Sequence, residues 1–101
     1  MQPKKIGRQL LDTLRDVTAL MGTTTDPDRI EELIEQRTKL LDQISKLVDK
    51  NLDNASLQYK AATTGLQAAS ASIKLALKGM ESVANAITQV AKAVDLVSKI
   101  K

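Results

Sequence analysis

The stretch that decides the fold spans residues 52–100 and reads LDNASLQYKAATTGLQAASASIKLALKGMESVANAITQVAKAVDLVSKI. Apolar side chains recur in it at alternating spacings of three and four, the repeat of a helix that buries one face. The first core position of this heptad, a, is occupied by Leu52, Tyr59, Leu66, Ile73, Met80, Ile87 and Val94. The second, d, is occupied by Ala55, Ala62, Ala69, Ala76, Val83, Val90 and Val97. This register predicts an all-α fold, either an antiparallel helical hairpin or a three- or four-helix bundle with coiled-coil-like heptad packing.

The positions that flank this seam carry no charge. Position e is occupied by Thr63, Ser70, Leu77, Ala84, Ala91 and Ser98, and position g by Gln58, Gly65, Ser72, Gly79, Ala86, Ala93 and Ile100. In an exposed two-stranded coiled coil, e and g often carry Glu and Lys. Their absence here leaves more than half of the circumference suited to contact. Such a helix needs at least two neighbours, which predicts a bundle or a higher assembly.

Small residues follow one edge of the same helix. They allow helix axes to approach closely, and glycine is the smallest of them. A glycine inside a helix costs up to about 1 kcal/mol relative to alanine. Gly65 and Gly79 therefore either permit close packing or mark turns. Gly79 is the better candidate for a turn, with Ser82 capping a last helix from about 83 to 100, but a helix continuous through position 79 stays open.

Two shorter helices are predicted in the first half. The first runs from about 3 to 21 on a stripe of Ile6, Leu10, Leu14, Val17 and Met21. Gly22 follows this stripe, where a left-handed C-terminal cap is common. The second helix begins at Asp26 and Pro27, since aspartate is a good N-cap and proline suits the first helical position.

The second helix is predicted to extend to about residue 51. Its apolar stripe consists of Ile30, Leu33, Ile34, Leu40, Leu41, Ile44, Leu47 and Val48. Arg37 falls on this stripe and is interpreted as a snorkelling or edge residue. Two acid-first ion pairs are expected, Glu35 with Lys39 and Asp42 with Lys46. A turn is favoured at 51–54, with helices at about 54–78 and 80–100 beyond it, although the apolar spacing continues across the junction and also permits one unbroken helix.

Composition argues against several classes of function. The chain of 101 residues is 43% hydrophobic and 27% charged, typical of a single small folded domain. It contains no His and no Cys, so it offers no imidazole base, thiolate or common zinc site. No catalytic, cofactor-binding or metal-binding residue is predicted, and the protein is not expected to be an enzyme.

The distribution of charge and of apolar residues predicts which binding partners and which cellular location to expect. Residues 55–101 carry six Lys and two acids, net +4, whereas residues 1–54 carry nine basic and ten acidic residues. The basic half favours an acidic partner or an anionic surface. Nucleic acid is disfavoured, because Tyr59 is the only aromatic side chain that can stack on a base. No signal-peptide pattern or membrane-spanning apolar run occurs, so a cytoplasmic location is expected, with export by a leaderless route still open.

One segment carries a family resemblance. Residues 28–44 read DRIEELIEQRTKLLDQI and follow a short amphipathic helix. Over residues 6–48 this layout resembles the small helical export chaperones of flagellar and type III secretion systems. The resemblance implies a cytoplasmic helical hairpin that shields an amphipathic helix of a partner protein.

These observations lead to three functional hypotheses. The first is a non-catalytic interaction module that binds another protein's helices, as a small bacterial adaptor or chaperone or as a toxin-neutralising, immunity-type partner. The second is a self-assembling structural subunit of a helical oligomer or filament. The third is a protein that lies on a membrane surface through an amphipathic helix at about 80–101, although core packing is the favoured use of that helix. The residues predicted to form a protein interface are Leu66, Ile73, Leu77, Met80, Ile87, Val90 and Val94.

Overall fold

The computed structural model of the protein describes residues 6–47 and 56–100. Four helices occupy these two ranges: α1 is Ile6–Thr23, α2 is Pro27–Leu47, α3 is Leu57–Leu77 and α4 is Val83–Ser98. No strand occurs within them. The predicted all-α fold is therefore confirmed, and among the architectures left open the chain forms a four-helix bundle.

The helices form a ring in the order α1, α2, α4, α3. Helix α1 packs against α2 and α3, and α4 packs against the same two helices. The Ile6 backbone N–H donates to the Tyr59 hydroxyl at 2.9 Å, and further along both helices the Ser70 hydroxyl donates to the Asp16 carboxylate. Helices α1 and α3 therefore run parallel. The Gln43 side-chain amide donates to the Val94 carbonyl at 2.8 Å, which places the later turns of α2 and α4 together. Helices α2 and α3 lie diagonally across the bundle.

The last two helices are separated by a tight turn at Gly79. This residue has φ of 76°, which glycine adopts without steric cost. The Met80 N–H donates to the Leu75 carbonyl at 2.9 Å, and the Gly79 N–H to the Ala76 carbonyl at 3.1 Å. These two bonds define the Schellman motif that ends many helices. Ser82 then caps α4, so the heptad pattern through position 79 belongs to two helices and not to one.

The junction between α2 and α3 is described only at its end. The turn predicted at 51–54 lies outside the described residues. Ser56 has an extended backbone, with φ of −65° and ψ of 151°, and its hydroxyl accepts a hydrogen bond from the Tyr59 N–H. An N-cap of this kind begins a new helix, so no unbroken helix runs from α2 into α3.

The connection between α1 and α2 corrects one prediction and confirms another. Gly22 is not a left-handed cap, because α1 continues through it to Thr23 and Gly22 has no positive φ. The Thr24 hydroxyl and backbone N–H both donate to the Leu20 carbonyl, which satisfies an acceptor in the last turn of α1. Asp26 caps α2 as predicted, with its carboxylate accepting from the Asp28 N–H at 3.0 Å.

All four helices contribute to one apolar core. In α3 and α4 the fully buried side chains fall at positions a, d and g, among them Leu66, Ile73 and Val90. The prediction of close helix packing is met at Gly65, where a Cβ atom would lie 2.8 Å from Leu96 Cδ1. The Ala93 Cα of α4 would lie 3.5 Å from the same Cβ atom, so a side chain at position 65 would require the end of the Leu96 side chain to move.

Candidate protein-binding surfaces

The structure divides the predicted interface residues into two groups. Two of them are on the surface: Leu77 is 38% exposed and Met80 is 72% exposed. The other five lie within the chain's own core: Leu66, Ile73, Ile87, Val90 and Val94. In the isolated chain, only Leu77 and Met80 of the seven are open to a partner.

An exposed apolar patch surrounds the turn between α3 and α4. We define the tip patch as Leu75, Leu77 and Met80, all more than a third exposed. Leu75 and Leu77 are two residues apart and therefore lie on different sides of the last turn of α3. The Schellman motif holds Met80 beside Leu75, since the backbone of one bonds to the backbone of the other. Lys74 and Lys78 are both exposed one helical turn apart on α3 and flank Leu75 in sequence. The bundle therefore presents apolar and cationic side chains together at this end.

Helix α2 carries two parallel apolar seams. The inner seam, which faces the core, consists of Leu33, Gln36, Leu40, Gln43 and Leu47. The outer seam has the same alternating spacing but is rotated toward solvent, and consists of Ile30, Ile34, Arg37, Leu41 and Ile44. Ile34 is 49% exposed and Leu41 is 43% exposed. Each seam has the spacing with which a helix packs on another helix. The inner seam faces the core, whereas the outer seam touches the bundle only in part, at Arg37, which bonds to Thr18 of α1, and at Ile44, which packs against the core.

The inner seam of α2 is not entirely apolar. Gln36 and Gln43 are buried, and the Oε1 atom of each has no hydrogen-bond partner. Burying an unpaired carbonyl oxygen costs about 1–3 kcal/mol. The side-chain amide nitrogen of Gln43 does donate one hydrogen bond, to the Val94 carbonyl of α4. Thus α2 buries two polar side chains while two large apolar side chains, Ile34 and Leu41, stay half-exposed.

Arg37 lies at the edge of the bundle in the middle of the outer seam. Its side chain is half-buried, and Nε donates to the Thr18 hydroxyl of α1 at 3.3 Å. This placement agrees with the interpretation of Arg37 as a snorkelling or edge residue. The guanidinium leans toward α1 and leaves Ile34 and Leu41 uncovered on the outer surface.

Charged side chains lie on the surface of the described part of the chain. The predicted pairs form, with Lys39 Nζ 3.3 Å from Glu35 Oε1 and Lys46 Nζ 2.9 Å from Asp42 Oδ2. All four side chains are at least half-exposed, so each pair contributes only a few tenths of a kcal/mol. No cluster of His, Cys, Asp and Glu suited to a metal ion occurs within residues 6–47 and 56–100.

The sequence contained a signal for the outer seam that the prediction of the interface did not use. In the sequence from 33 to 48, apolar doublets repeat every seven residues, as Leu33-Ile34, Leu40-Leu41 and Leu47-Val48. A doublet at heptad spacing gives a helix two adjacent apolar rows, and one neighbour covers only one row. Leu75 was missed because position c of the heptad normally faces solvent.

Comparison with family models, with curated proteins and with solved structures finds no match to this chain. The likeness of residues 6–48 to export chaperones accordingly stays a hypothesis. Among the described residues, no helix combines the length and apolarity that crossing a bilayer requires.

Proposed function

We propose that the protein is a non-catalytic helical interaction module that binds an acidic, amphipathic segment of another protein through the tip patch. The observation that supports this proposal most strongly is the exposure of Leu75, Leu77 and Met80 next to two lysines. Exposed apolar residues next to charged residues are a common form of protein-binding surface.

The chemistry of the patch sets the character of the partner. Leucine and methionine bind the apolar face of a helix, and methionine adapts to different partner shapes because its side chain is unbranched. Lys74 and Lys78 favour carboxylates beside that face. The surrounding half of the chain has a net positive charge, which strengthens the attraction to an acidic segment.

The size of the patch indicates weak, reversible binding. Complete burial of a leucine or methionine side chain contributes about 1.5–3 kcal/mol. The tip patch offers three such side chains, each already partly covered, and association itself costs several kcal/mol. A dissociation constant in the micromolar range or weaker is expected, which suits a cytoplasmic bacterial adaptor, chaperone or immunity-type protein better than a permanent subunit.

The membrane hypothesis has less support. The apolar side chains of α4 pack inside the bundle, including Ile87, Val90 and Val97. For this helix to lie on a membrane as predicted for residues 80–101, it would have to leave the bundle and expose the core. Vesicles that contain anionic lipid provide the test: co-sedimentation at low salt that is abolished by Ile87→Asp but not by Met80→Glu would favour a released α4.

The direct test is photo-crosslinking in cells. A benzophenone side chain is placed at position 80 in one variant and at position 57 in a matched control, because Leu57 is 81% exposed but lies outside the tip patch. We expect position 80 to give an adduct with a defined protein, and position 57 not to. The adduct should be lost in a background that carries Leu75→Glu. Equal adducts at both positions, or an adduct insensitive to Leu75→Glu, would refute the tip patch as the binding surface.

A further inference from the structure

We infer that α2 is a lid on the bundle, which opens as a unit while α1, α3 and α4 stay together. This opening does not depend on the tip patch, which lies on α3 and the turn that follows it. The four helices differ in how strongly the core holds them, and α2 is held least.

Helix α2 contributes few apolar side chains to the core for its length. It has 21 residues, as does α3, but its buried residues are Leu33, Gln36, Leu40 and Gln43, and only the two leucines are apolar. By comparison, α1 and α3 each bury four apolar side chains and α4 buries six. Since tertiary burial of an apolar face supplies most of the stability of a helix in a protein, α2 is the most weakly held of the four.

The two buried glutamines of α2 favour its release. Gln36 Oε1 and Gln43 Oε1 are two of the four buried side-chain oxygens that have no hydrogen-bond partner in the described part of the chain. When α2 leaves the bundle, both oxygens reach water and gain hydrogen bonds. The release breaks the hydrogen bonds from Gln43 to the Val94 carbonyl and from Arg37 to the Thr18 hydroxyl, but water replaces these partners.

The other three helices keep their mutual contacts when α2 opens. Helix α3 packs against both α1 and α4, whereas α2 lies diagonally across the bundle from it. Gly65 of α3 lies against Ala93 and Leu96 of α4, and Ser72, one heptad further along α3, is buried on the same side. None of these contacts involves α2. The open form therefore exposes apolar surface between α1 and α4 without separating either helix from α3.

Native-state hydrogen exchange, resolved for each amide by NMR, tests this opening. Amides that exchange through the release of α2 report the free energy of that opening, whereas the slowest amides of α3 report unfolding of the whole chain. We expect the slowest amides of α2 to exchange at least about tenfold faster than the slowest amides of α3. Exchange in α2 should also depend less on added urea, because the release of one helix exposes less surface than global unfolding.

Two substitutions distinguish the opening of α2 from unfolding of the whole chain. Ser72→Ala removes an unpaired oxygen that stays buried between α3 and α4 when α2 opens, so it should slow the slowest α3 amides about tenfold and leave the α2 amides unchanged. Gln36→Leu removes an unpaired oxygen that is buried only in the closed bundle, so it should slow both sets of amides about tenfold. The control is Gln67→Leu, because Gln67 is exposed on α3 and its replacement should change neither set by more than about twofold.

Three results would each overturn the inference. Equal exchange rates in α2 and α3 of the natural chain, or a Ser72→Ala variant that slows the α2 amides as much as the α3 amides, would show that the bundle unfolds only as a whole. Unchanged α2 exchange in Gln36→Leu would show that the buried glutamine does not favour the release of α2. None of these results bears on crosslinking at position 80, and a failure of that crosslinking leaves the opening of α2 unaffected.

Discussion

Replacement of Gly79 by alanine tests whether the chain turns where the structure places the end of α3. Gly79 has φ of 76°, in the left-handed region. An L-residue with a Cβ atom pays about 1–2 kcal/mol there. Reduced freedom of the unfolded chain offsets about 0.4–1 kcal/mol of that cost. Gly79→Ala should thus lower the free energy of unfolding by about 1 kcal/mol.

The matched control is the same substitution at Gly22, which lies inside α1 without a positive φ. A Cβ at this position would meet no atom within 4 Å, and neither would one at Gly79. The two substitutions therefore differ in backbone conformation and not in steric room. Alanine forms helix better than glycine, so Gly22→Ala should raise the free energy of unfolding by about 0.5 kcal/mol at this near-terminal position.

Thermal unfolding followed by circular dichroism measures both variants. For a domain of this size, about 1 kcal/mol moves the midpoint by roughly 4–8 °C. Gly79→Ala should melt below the natural chain and Gly22→Ala above it. Gly79→Asn should fall between Gly79→Ala and the natural chain, because asparagine tolerates the left-handed region. If Gly79→Ala melts at or above the natural chain, the helix continues through residue 79 and the break is refuted.

Four further substitutions, one of them a control on the exposed face, test the core and its polar contacts by thermal unfolding. Ile87→Asp buries an unpaired charge and should abolish cooperative unfolding. The control, Lys92→Ala, lies on the exposed face of α4 and should shift the midpoint by no more than about 2 °C. An unchanged midpoint for Ile87→Asp would contradict the burial of Ile87. Tyr59→Phe removes the acceptor of the Ile6 N–H and should cost about 0.5–1.5 kcal/mol, so a variant as stable as the natural chain would argue against this cap. Gln36→Leu removes an unpaired buried oxygen and should raise the midpoint by several degrees; a lowered midpoint would indicate that the amide has a partner.

The helices could be predicted from sequence because the decisive signals are local. The apolar spacing of α3 and α4 and the cap residues Asp26 and Ser82 each have a physical effect within a few residues. The break at Gly79 was left open, since glycine at a close helix contact and glycine in a left-handed turn look alike in sequence. The hydrogen bonds of the following turn decide between them.

The candidate surfaces could not be predicted to the same extent, because burial depends on how all four helices meet. The seam of α3 and α4 is long enough to bind a partner, but α1 and α2 cover it within the same chain. The rotation of α2 about its own axis, which decides the side chains that face the core, also depends on the packing of the whole bundle. It buries Gln36 and Gln43 and exposes Ile34 and Leu41, although hydrophobicity alone favours the reverse. The prediction for Gly22 is wrong because α1 extends one residue beyond it, to Thr23, and the hydroxyl and N–H of Thr24 then bond to the Leu20 carbonyl.

The most direct measurement is the concentration dependence of unfolding in the Ile34→Glu variant, whose added charge opposes association through the exposed outer seam, combined with its molar mass. If the apolar stripes close on one another within a single chain, this variant is a compact 11.0 kDa monomer with a Cα radius of gyration near 13.2 Å. It should unfold cooperatively, at a midpoint that does not change with protein concentration. A monomer without helical signal, or a midpoint that falls steadily on dilution, would show that other chains supply part of the core, and it would contradict the four-helix bundle as a self-sufficient fold.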